Sequence, residues 1–159
     1  MRRGSAVLIA VVLVLVATGV LAGIGVRHAS NANSLDDERT QVALIAGKYA
    51  VDFTSVDYRH LQADFDAAAK NATSDFAKKY LATVQVFAPL YTKGQVVQTT
   101  SVDLAGVSSL TSDTAVVLVA LKGVATNTKT KLGTQQLFRM QISLAKVGNR
   151  WLTSNVVPL

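Results

Sequence analysis

The sequence predicts an α+β protein: a single N-terminal transmembrane helix, then a domain of about three helices packed on a curved four-stranded antiparallel sheet. Three observations support this prediction. Residues Gly4 to Val26 form a run of 23 residues without a charged side chain. Apolar residues then recur at helical spacing between Val42 and Tyr91, and the chain after Gly94 is rich in Val and Thr, which favour strands. Helices that precede a run of strands are typical of the α+β class.

The N-terminal run is long enough to cross a membrane. At a rise of about 1.5 Å per residue a helix of this length spans roughly 35 Å, and the hydrocarbon core of a bilayer is about 30 Å thick. We therefore predict a cytosolic tail over residues 1–4 and a transmembrane helix over residues 5–26, from Ser5 to Val26. A linker over residues 27–34 and an exported domain over residues 35–159 follow.

A cleaved secretory signal peptide is the competing interpretation of the same run. The apolar part of such a peptide usually covers only about 7–15 residues. The run in this chain is longer, and this length favours an uncleaved anchor. The small residues Ala29, Ser30 and Ala32 that follow it still leave a cleavage site open.

Basic residues around the span predict its orientation, because they are retained on the cytoplasmic side. Arg2, Arg3 and the amino terminus precede the span. Arg27 follows it together with His28, which is mostly neutral at pH 7. This asymmetry predicts a single-pass protein of the cytoplasmic membrane, with the N-terminus in the cytoplasm and the C-terminal domain outside.

The first helix of the predicted domain has the most regular pattern. Ser34 or Asp36 caps its start, and Thr54-Ser55 interrupts the pattern after Phe53. Residues spaced by three and four positions form one apolar stripe along it, which predicts one buried face. These residues are Val42, Ile45, Ala46, Tyr49, Ala50 and Phe53.

Two further helices are predicted before the strands. The second covers Asp57 to about Lys70, and the third is capped by Thr73 or Ser74. Pro89 predicts that the third helix ends or kinks near Phe87–Ala88, because proline removes a helical hydrogen bond. The apolar stripe of this third helix consists of Phe76, Tyr80, Val84, Phe87 and Tyr91.

Four strands are predicted in the second half. The first covers Gln95 to Leu110, with a bulge or bend at Gly106. The second, Ala115 to Val124, is apolar on both alternating faces at first, which predicts a central strand covered on both sides. The third covers Gln136 to Leu144 with clean alternation, and the last begins at Arg150 and ends near Val157.

Composition excludes several kinds of site. The chain has no cysteine and only two histidines, so disulfides, cysteine metal sites and histidine-rich metal sites are excluded. The net charge is +6, but its Lys and Arg residues are dispersed without interleaved aromatic residues, so we predict no nucleic-acid binding. A solvated basic surface explains this charge, and attraction to anionic lipid headgroups or an acidic partner is the alternative.

One group of residues has the composition of an acid–base pair. His60 lies four residues before Asp64 and three after Asp57, so either carboxylate is within reach of it. Asp66 lies two residues beyond Asp64 and does not share its helix face. No serine, cysteine or second base is tied to this group by a motif. The sequence therefore predicts a surface polar pair, no catalytic residues, no cofactor and no enzyme activity.

Aromatic residues are the other candidates for a site. Aromatic residues at helical spacing form a plain core, and the alternative is an apolar pocket between helices and sheet for a lipid or sterol. The residues concerned are Tyr49, Phe53, Tyr58, Phe76, Tyr80, Phe87 and Tyr91. Trp151 is expected in the core or at the edge of the sheet.

The order of several short motifs resembles a known family. Phe53-Thr54-Ser55-Val56-Asp57-Tyr58 places an aromatic residue, a short spacer and Asp-Tyr in sequence, and Ser74-Asp75-Phe76 leads to Tyr80. A Val-rich strand at Asp113 to Val124 and a strand with Arg150-Trp151 follow. Together with the short basic N-terminus and the single span, this order resembles the Mce-associated membrane proteins of mycobacteria and related actinobacteria. They accompany the mammalian-cell-entry (Mce) lipid importers, and the resemblance covers nearly the whole chain.

The resemblance implies a cone-like fold of the nuclear transport factor 2 type, which exported domains of type IV secretion scaffolds share. It supplies no catalytic residues, and we expect structural roles for Asp57 as a helix N-cap and Tyr58 packed under the sheet. It implies an accessory protein that assembles or stabilises an Mce-type lipid or sterol transport complex, with transporter subunits as partners. An anchored lipid-binding module, acting as carrier or sensor, is the alternative. A small enzyme on the same fold is the third hypothesis, because a fold does not decide function.

Overall fold

The computed structural model describes residues 34–159. The predicted transmembrane helix, residues 5–26, lies outside them. The chain divides into two compact units, Met1–Glu38 and Arg39–Leu159, and the second holds every element below apart from the first residues of helix α1. Within residues 34–159, no helix is both long enough and apolar enough to cross a membrane.

Three helices precede most of the sheet, as predicted. Helix α1 covers residues 34–54 of the described chain, α2 covers Leu61–Lys70, and α3 covers Ser74–Gly94. The apolar stripe of α1 is confirmed. Its buried members are Val42, Ala46, Tyr49 and Ala50, and Ile45 and Phe53 pack against them.

The start of the second helix was predicted wrongly. Val56–Asp57 forms a two-residue strand, β1, and α2 begins only at Leu61. In β1, Val56 pairs with Gln98 and Asp57 with Val97 of the following strand. This pairing between residues some 40 positions apart overrides the local helical spacing, because it satisfies the backbone groups and buries Val56.

Of the two predicted effects of Pro89, an end or a kink, the first is wrong: helix α3 does not end there and continues to Gly94. Proline removes the hydrogen bond to the Gln85 carbonyl, but Gln85 is exposed, so water can replace that bond. Ala88 and Tyr91 pack against a buried apolar cluster, and their packing holds the last turns in place. Phe87, predicted to belong to the buried stripe, is exposed instead.

The sheet has five antiparallel strands in the order β1-β2-β3-β4-β5, one more than predicted because of β1. The four long strands are a meander whose bounds agree with the prediction to within a few residues. They are β2 Val97–Leu110, β3 Thr114–Thr126, β4 Thr134–Val147 and β5 Arg150–Pro158. The register of β2 shifts between Val102 and Leu104 and between Val107 and Ser109. These bulges flank Gly106 and do not include it.

The helices cover one face of this sheet, called here the inner face. Its core residues are buried side chains of β3 and β4: Ala115, Val117, Val119, Leu121, Met140, Ile142 and Leu144. Trp151 of β5 is also buried, as expected. The prediction that β3 is covered on both sides is wrong for the described chain, because Leu118 and Val124 are exposed on the opposite, outer face.

The connection between α2 and α3 fixes the helices to the far edge of the sheet. Thr73 donates its backbone N–H to the carbonyl of Thr153 at 2.8 Å, and Thr153 donates its own to the carbonyl of Asn71 at 3.0 Å. These bonds occupy backbone groups of β5 that an edge strand otherwise leaves unpaired. They hold the helical layer against the sheet at the edge opposite β1.

Candidate functional site

An apolar pocket of about 340 Å³ lies between the helices and the inner face of the sheet. This volume is at the lower end of the range usual for small-molecule sites. The pocket is lined by the end of α1, by β1, α2 and α3, and by β4 and the last residues of the chain. Its apolar lining consists of Phe53, Val56, Phe65, Tyr80, Val84, Tyr91, Leu137, Phe138, Met140, Pro158 and Leu159.

Tyr80 is at the centre of the aromatic contacts in this lining. Its ring centroid is 5.2 Å from that of Phe53 and 6.4 Å from that of Phe65, which meets it edge-on. Burial raises the pKa of Tyr80 to about 12, and repulsion from an ionised Tyr91 and from the Asp64 carboxylate adds to this effect. Tyr80 is therefore a neutral phenol at physiological pH.

The polar groups beside the pocket are engaged with one another. The hydroxyl oxygens of Thr54 and Thr100 are 2.8 Å apart, and those of Ser55 and Thr100 are 2.9 Å apart. Thr100 also donates its backbone N–H to the Ser55 hydroxyl at 3.2 Å, and the Gln98 amide donates to the Thr54 carbonyl. No base contacts these hydroxyls in the described structure, so their arrangement is not that of an activated nucleophile.

The acidic group near His60 lies at the start of α2 and outside the pocket lining. Arg59 donates its backbone N–H to Oδ1 of Asp57 at 3.0 Å, and its guanidinium binds both oxygens of that carboxylate. These hydrogen bonds hold the pKa of Asp57 well below its ordinary value. Asp57 is therefore committed to Arg59 as a carboxylate.

The predicted pair of His60 and Asp64 is confirmed as a contact. His60 Nδ1 lies 3.2 Å from Asp64 Oδ1, and His60 Nε2 lies 3.5 Å from Asp57 Oδ2. More than half of the His60 side chain is exposed, and His60 is not among the residues that line the apolar pocket. The geometry is that of a surface polar pair.

The expectations for Asp57 and Tyr58 are wrong in detail. Asp57 belongs to β1 and does not cap α2, whose preceding residue, His60, makes no side-chain capping bond. Tyr58 is half-buried and belongs to neither apolar cluster of the described core. Asp64 holds this junction together, because its Oδ2 accepts the backbone N–H of Asp57 at 2.7 Å.

The predicted aromatic residues have three different locations. Tyr49 is buried in the main core, where its ring lies 6.0 Å from that of Phe53. Burial raises the pKa of Tyr49 above its ordinary value, and electrostatic interactions with Tyr80 and Asp52 raise it further. Phe53, Tyr80 and Tyr91 line the pocket, whereas Phe87 is on the surface of α3.

The sequence interpretation missed an apolar patch on the outer face of the sheet. Leu118 of β3 lies opposite Gly106 and Gln141, and Val157 of β5 lies opposite Gln141. Leu104 of β2, two positions from Gly106, is diagonal to Leu118. We call these three exposed side chains, Leu104, Leu118 and Val157, the outer patch. The sequence did carry a signal for this patch, because both faces of β3 are apolar. We had interpreted that pattern as burial of both faces.

That the chain binds no metal ion stays a prediction. Between residues 34 and 159, no three His, Asp or Glu side chains are grouped as a metal ion requires.

The family to which the chain belongs follows from its sequence. A profile of the family described as uncharacterized protein Rv1363c/MT1408-like matches residues 4–158. The chain belongs to this family. The match covers both the apolar N-terminal run and all described elements of the chain. A comparison with curated proteins found no match. The association with Mce transporters stays a prediction.

Solved structures support the predicted fold of the chain. It is similar to an IcmL-like type IV secretion system protein from Legionella pneumophila, with a TM-score of 0.62 and 12% identity over 76% of this chain and 93% of that one. A periplasmic fragment of TraM gives a TM-score of 0.60 and 10% identity, over 75% and 95% of the two chains. An Ntf2-like protein involved in plasmid conjugation gives 0.50 and 11%, over 76% and 48%. At these identities the likeness shows the fold alone, and that fold is the expected one of the nuclear transport factor 2 type.

Proposed function

We propose that this chain is a membrane-anchored accessory protein whose exported, non-catalytic domain assembles or stabilises an Mce-type lipid or sterol transport complex. The observation that carries the proposal is the outer patch. A sheet normally exposes polar residues on its solvent face, whereas this sheet exposes Leu104, Leu118 and Val157 there. We assign this face to a protein subunit of the transporter.

A protein partner fits this face because polar groups surround its apolar side chains. In the same rows of the sheet, Gln141 separates Leu118 from Val157, and Arg139 shares a row with Leu104 through Ala120. An apolar centre with a polar rim is the usual composition of a protein–protein interface. The resemblance to Mce-associated proteins supports the choice of partner, and the periplasmic origin of the TraM fragment is consistent with an exported domain.

The non-catalytic part of the proposal rests on how the titratable groups are used. Asp57 is committed to Arg59, and Asp64 accepts the Asp57 backbone N–H. His60 lies on the surface, away from the pocket. The Thr54, Ser55 and Thr100 hydroxyls bond to one another. Catalysis requires a pocket in which a nucleophile and a base lie together, and these residues do not form one.

Co-purification tests the proposal. The tagged full-length chain is isolated from membranes under mild detergent, and Mce-domain proteins and transporter permeases are quantified by mass spectrometry. We expect these subunits with the unaltered chain and a large loss of them with the double variant Leu104→Ser, Leu118→Ser. Gln135→Ala, on the same face of β4 but six residues along the strand from Gln141 and outside the outer patch, is the matched control and retains them. If no transporter subunit co-purifies with the unaltered chain, the proposal is contradicted.

A lipid-binding module is the second candidate, and the apolar pocket favours it. The pocket of about 340 Å³ has mostly aromatic and aliphatic walls, which suit an acyl chain or a sterol. Native mass spectrometry of the purified full-length chain is the test, and a bound lipid is the expected result. Val84→Trp fills the pocket and should remove the lipid. Val86→Trp, on the exposed side of the same helix, should keep it. If the unaltered chain carries no bound lipid, the lipid-binding function is contradicted.

A further inference from the structure

Two separate segments meet at one end of the domain. The loop between β3 and β4 begins there, and the backbone N–H of Thr128 donates to the carbonyl of Gly94 at 2.9 Å. Gly94 is the last residue of α3. This hydrogen bond places the C-terminal turn of α3 beside the β3–β4 loop, at the end of the sheet opposite the β2–β3 turn.

Apolar side chains are exposed on both segments. Leu132 in the loop is fully exposed, and Leu90 in the penultimate turn of α3 is 64% exposed. The loop has a defined conformation: Asn127 Oδ1 accepts the backbone N–H groups of Lys129 at 2.8 Å and Thr130 at 3.0 Å. Leu132 is therefore held in solvent by an ordered loop and does not fold back on the sheet.

The same two segments carry three lysines. Lys93 lies in the last turn of α3, and Lys129 and Lys131 lie in the loop. None of the three has an ion-pair partner among residues 34–159. Two acidic residues lie near this end: Asp57, which pairs with Val97 of β2, and Asp64, which accepts the Asp57 backbone N–H. Arg59 compensates the charge of Asp57, and together with the three lysines it outnumbers these two carboxylates. This end of the domain is therefore basic, with projecting leucines. We call Leu90, Lys93, Lys129, Lys131 and Leu132 the basic tip.

We propose that the basic tip docks on the surface of an anionic lipid bilayer. Isolated leucines that project from a loop and a helix end can enter the headgroup region without a shaped protein partner. Lysines beside them extend their ammonium groups to lipid phosphates while their apolar stems stay with the leucines. The basic tip is thus a second membrane contact of the chain, separate from the predicted N-terminal anchor. It does not depend on an Mce partner.

Fluorescence on vesicles tests this proposal with the full-length chain. Because the chain has no cysteine, Leu132→Cys provides a single position for an environment-sensitive dye. Ser112→Cys, in the β2–β3 turn at the opposite end of the sheet, is the control position. Each labelled protein is combined with vesicles of phosphatidylcholine alone or of phosphatidylcholine with phosphatidylglycerol.

We expect a blue shift of the dye at position 132 on the anionic vesicles and a much smaller shift on the neutral ones. The dye at position 112 should not shift. Lys129→Gln with Lys131→Gln should remove most of the shift, added salt should reduce it, and Lys78→Gln, in the first half of α3, should leave it unchanged. Equal shifts at positions 132 and 112, or equal shifts on both kinds of vesicle, overturn the proposal.

Discussion

The backbone N–H of Asp57 donates a hydrogen bond of 2.7 Å to Oδ2 of Asp64, and this bond joins strand β1 to the first turn of α2. The carboxylate of Asp57 is in turn bound by Arg59. Both acids thus stabilise the junction between the sheet and the helical layer. Their role is structural, and it has a consequence for the dependence of stability on pH.

Asp57→Asn should reduce stability more at neutral pH than in acid. The fold holds the pKa of Asp57 below its ordinary value of 3.8, so the ionised carboxylate stabilises the fold above that pH. This contribution is lost as the pH falls below that value. Thermal unfolding at pH 7 and near pH 3 is the measurement, with Asp113→Asn in the exposed β2–β3 turn as the control. An equal loss from Asp57→Asn at both pH values contradicts this role.

Gly123→Ala should destabilise the domain, whereas Gly106→Ala should not. A Cβ atom at Gly123 would lie 2.5 Å from the Thr99 carbonyl oxygen and 2.8 Å from Cγ2 of Thr100. Backbone cannot yield as a flexible side chain does, so we expect a loss of about 1–3 kcal/mol. A Cβ at Gly106 meets no atom within 4 Å. Urea unfolding of both variants is the measurement, and similar stabilities would show that the strands are spaced differently at Gly123.

Tyr49→Phe should leave stability unchanged or increase it by about 1 kcal/mol. The Tyr49 hydroxyl is buried and has no hydrogen-bond partner in the described part of the chain, so removing it relieves a desolvation cost. Tyr49→Leu, which also removes the stacking on Phe53, should be destabilising. Chemical denaturation of both variants checks this. A loss above about 1 kcal/mol for Tyr49→Phe would mean that the hydroxyl is hydrogen-bonded in solution.

The two faces of β3 should respond differently to truncation. Leu121 is buried on the inner face, so Leu121→Ala should cost about 2–5 kcal/mol. Leu118 is exposed on the outer face, and Leu118→Ala should change stability by less than about 0.5 kcal/mol. Denaturant midpoints of the purified full-length variants give the comparison. A large loss of stability for Leu118→Ala would mean that the Leu118 side chain is covered by other residues within the isolated chain.

Periodicity predicted the parts of the fold whose burial follows a single regular pattern. The stripe of α1 through Val42, Ala46 and Tyr49 is one example. The alternation of Met140, Ile142 and Leu144 in β4 is another, because each has one buried face that repeats with the period of its element. The order of helices before strands followed from these patterns, and with it the α+β class.

Features that depend on distant pairing did not follow from local pattern. Strand β1 has only two residues, and its partner residues Gln98 and Val97 lie some 40 positions away. Pro89 stays inside α3 because tertiary packing outweighs the lost hydrogen bond. The patterns also cannot distinguish an apolar face that is buried from one that is exposed, which is why Leu118 was assigned to a covered surface.

The sequence predicted which aromatic residues belong to the candidate site, but it did not predict which polar residues contact one another beside it. The aromatic residues of the pocket had been singled out, with Tyr80 and Phe53 among them, as either core or lipid pocket. The hydroxyl group of Thr100 could not be associated with Thr54 and Ser55, since 45 or 46 positions separate them and no motif connects them. The hydrogen bond between Gly94 and Thr128 of the β3–β4 loop is a long-range contact of the same kind.

Site-specific photocrosslinking in cells can detect a contact between the outer patch and a subunit of a lipid transporter. A photoreactive amino acid replaces Leu118 in the full-length chain, or Asp113 in the exposed β2–β3 turn as a control, and the crosslinked products are identified by mass spectrometry. Such a contact should give a product with an Mce-domain protein or transporter permease from position 118 and none from position 113. Absence of a transporter subunit among the products from position 118, or the same products from both positions, would contradict it.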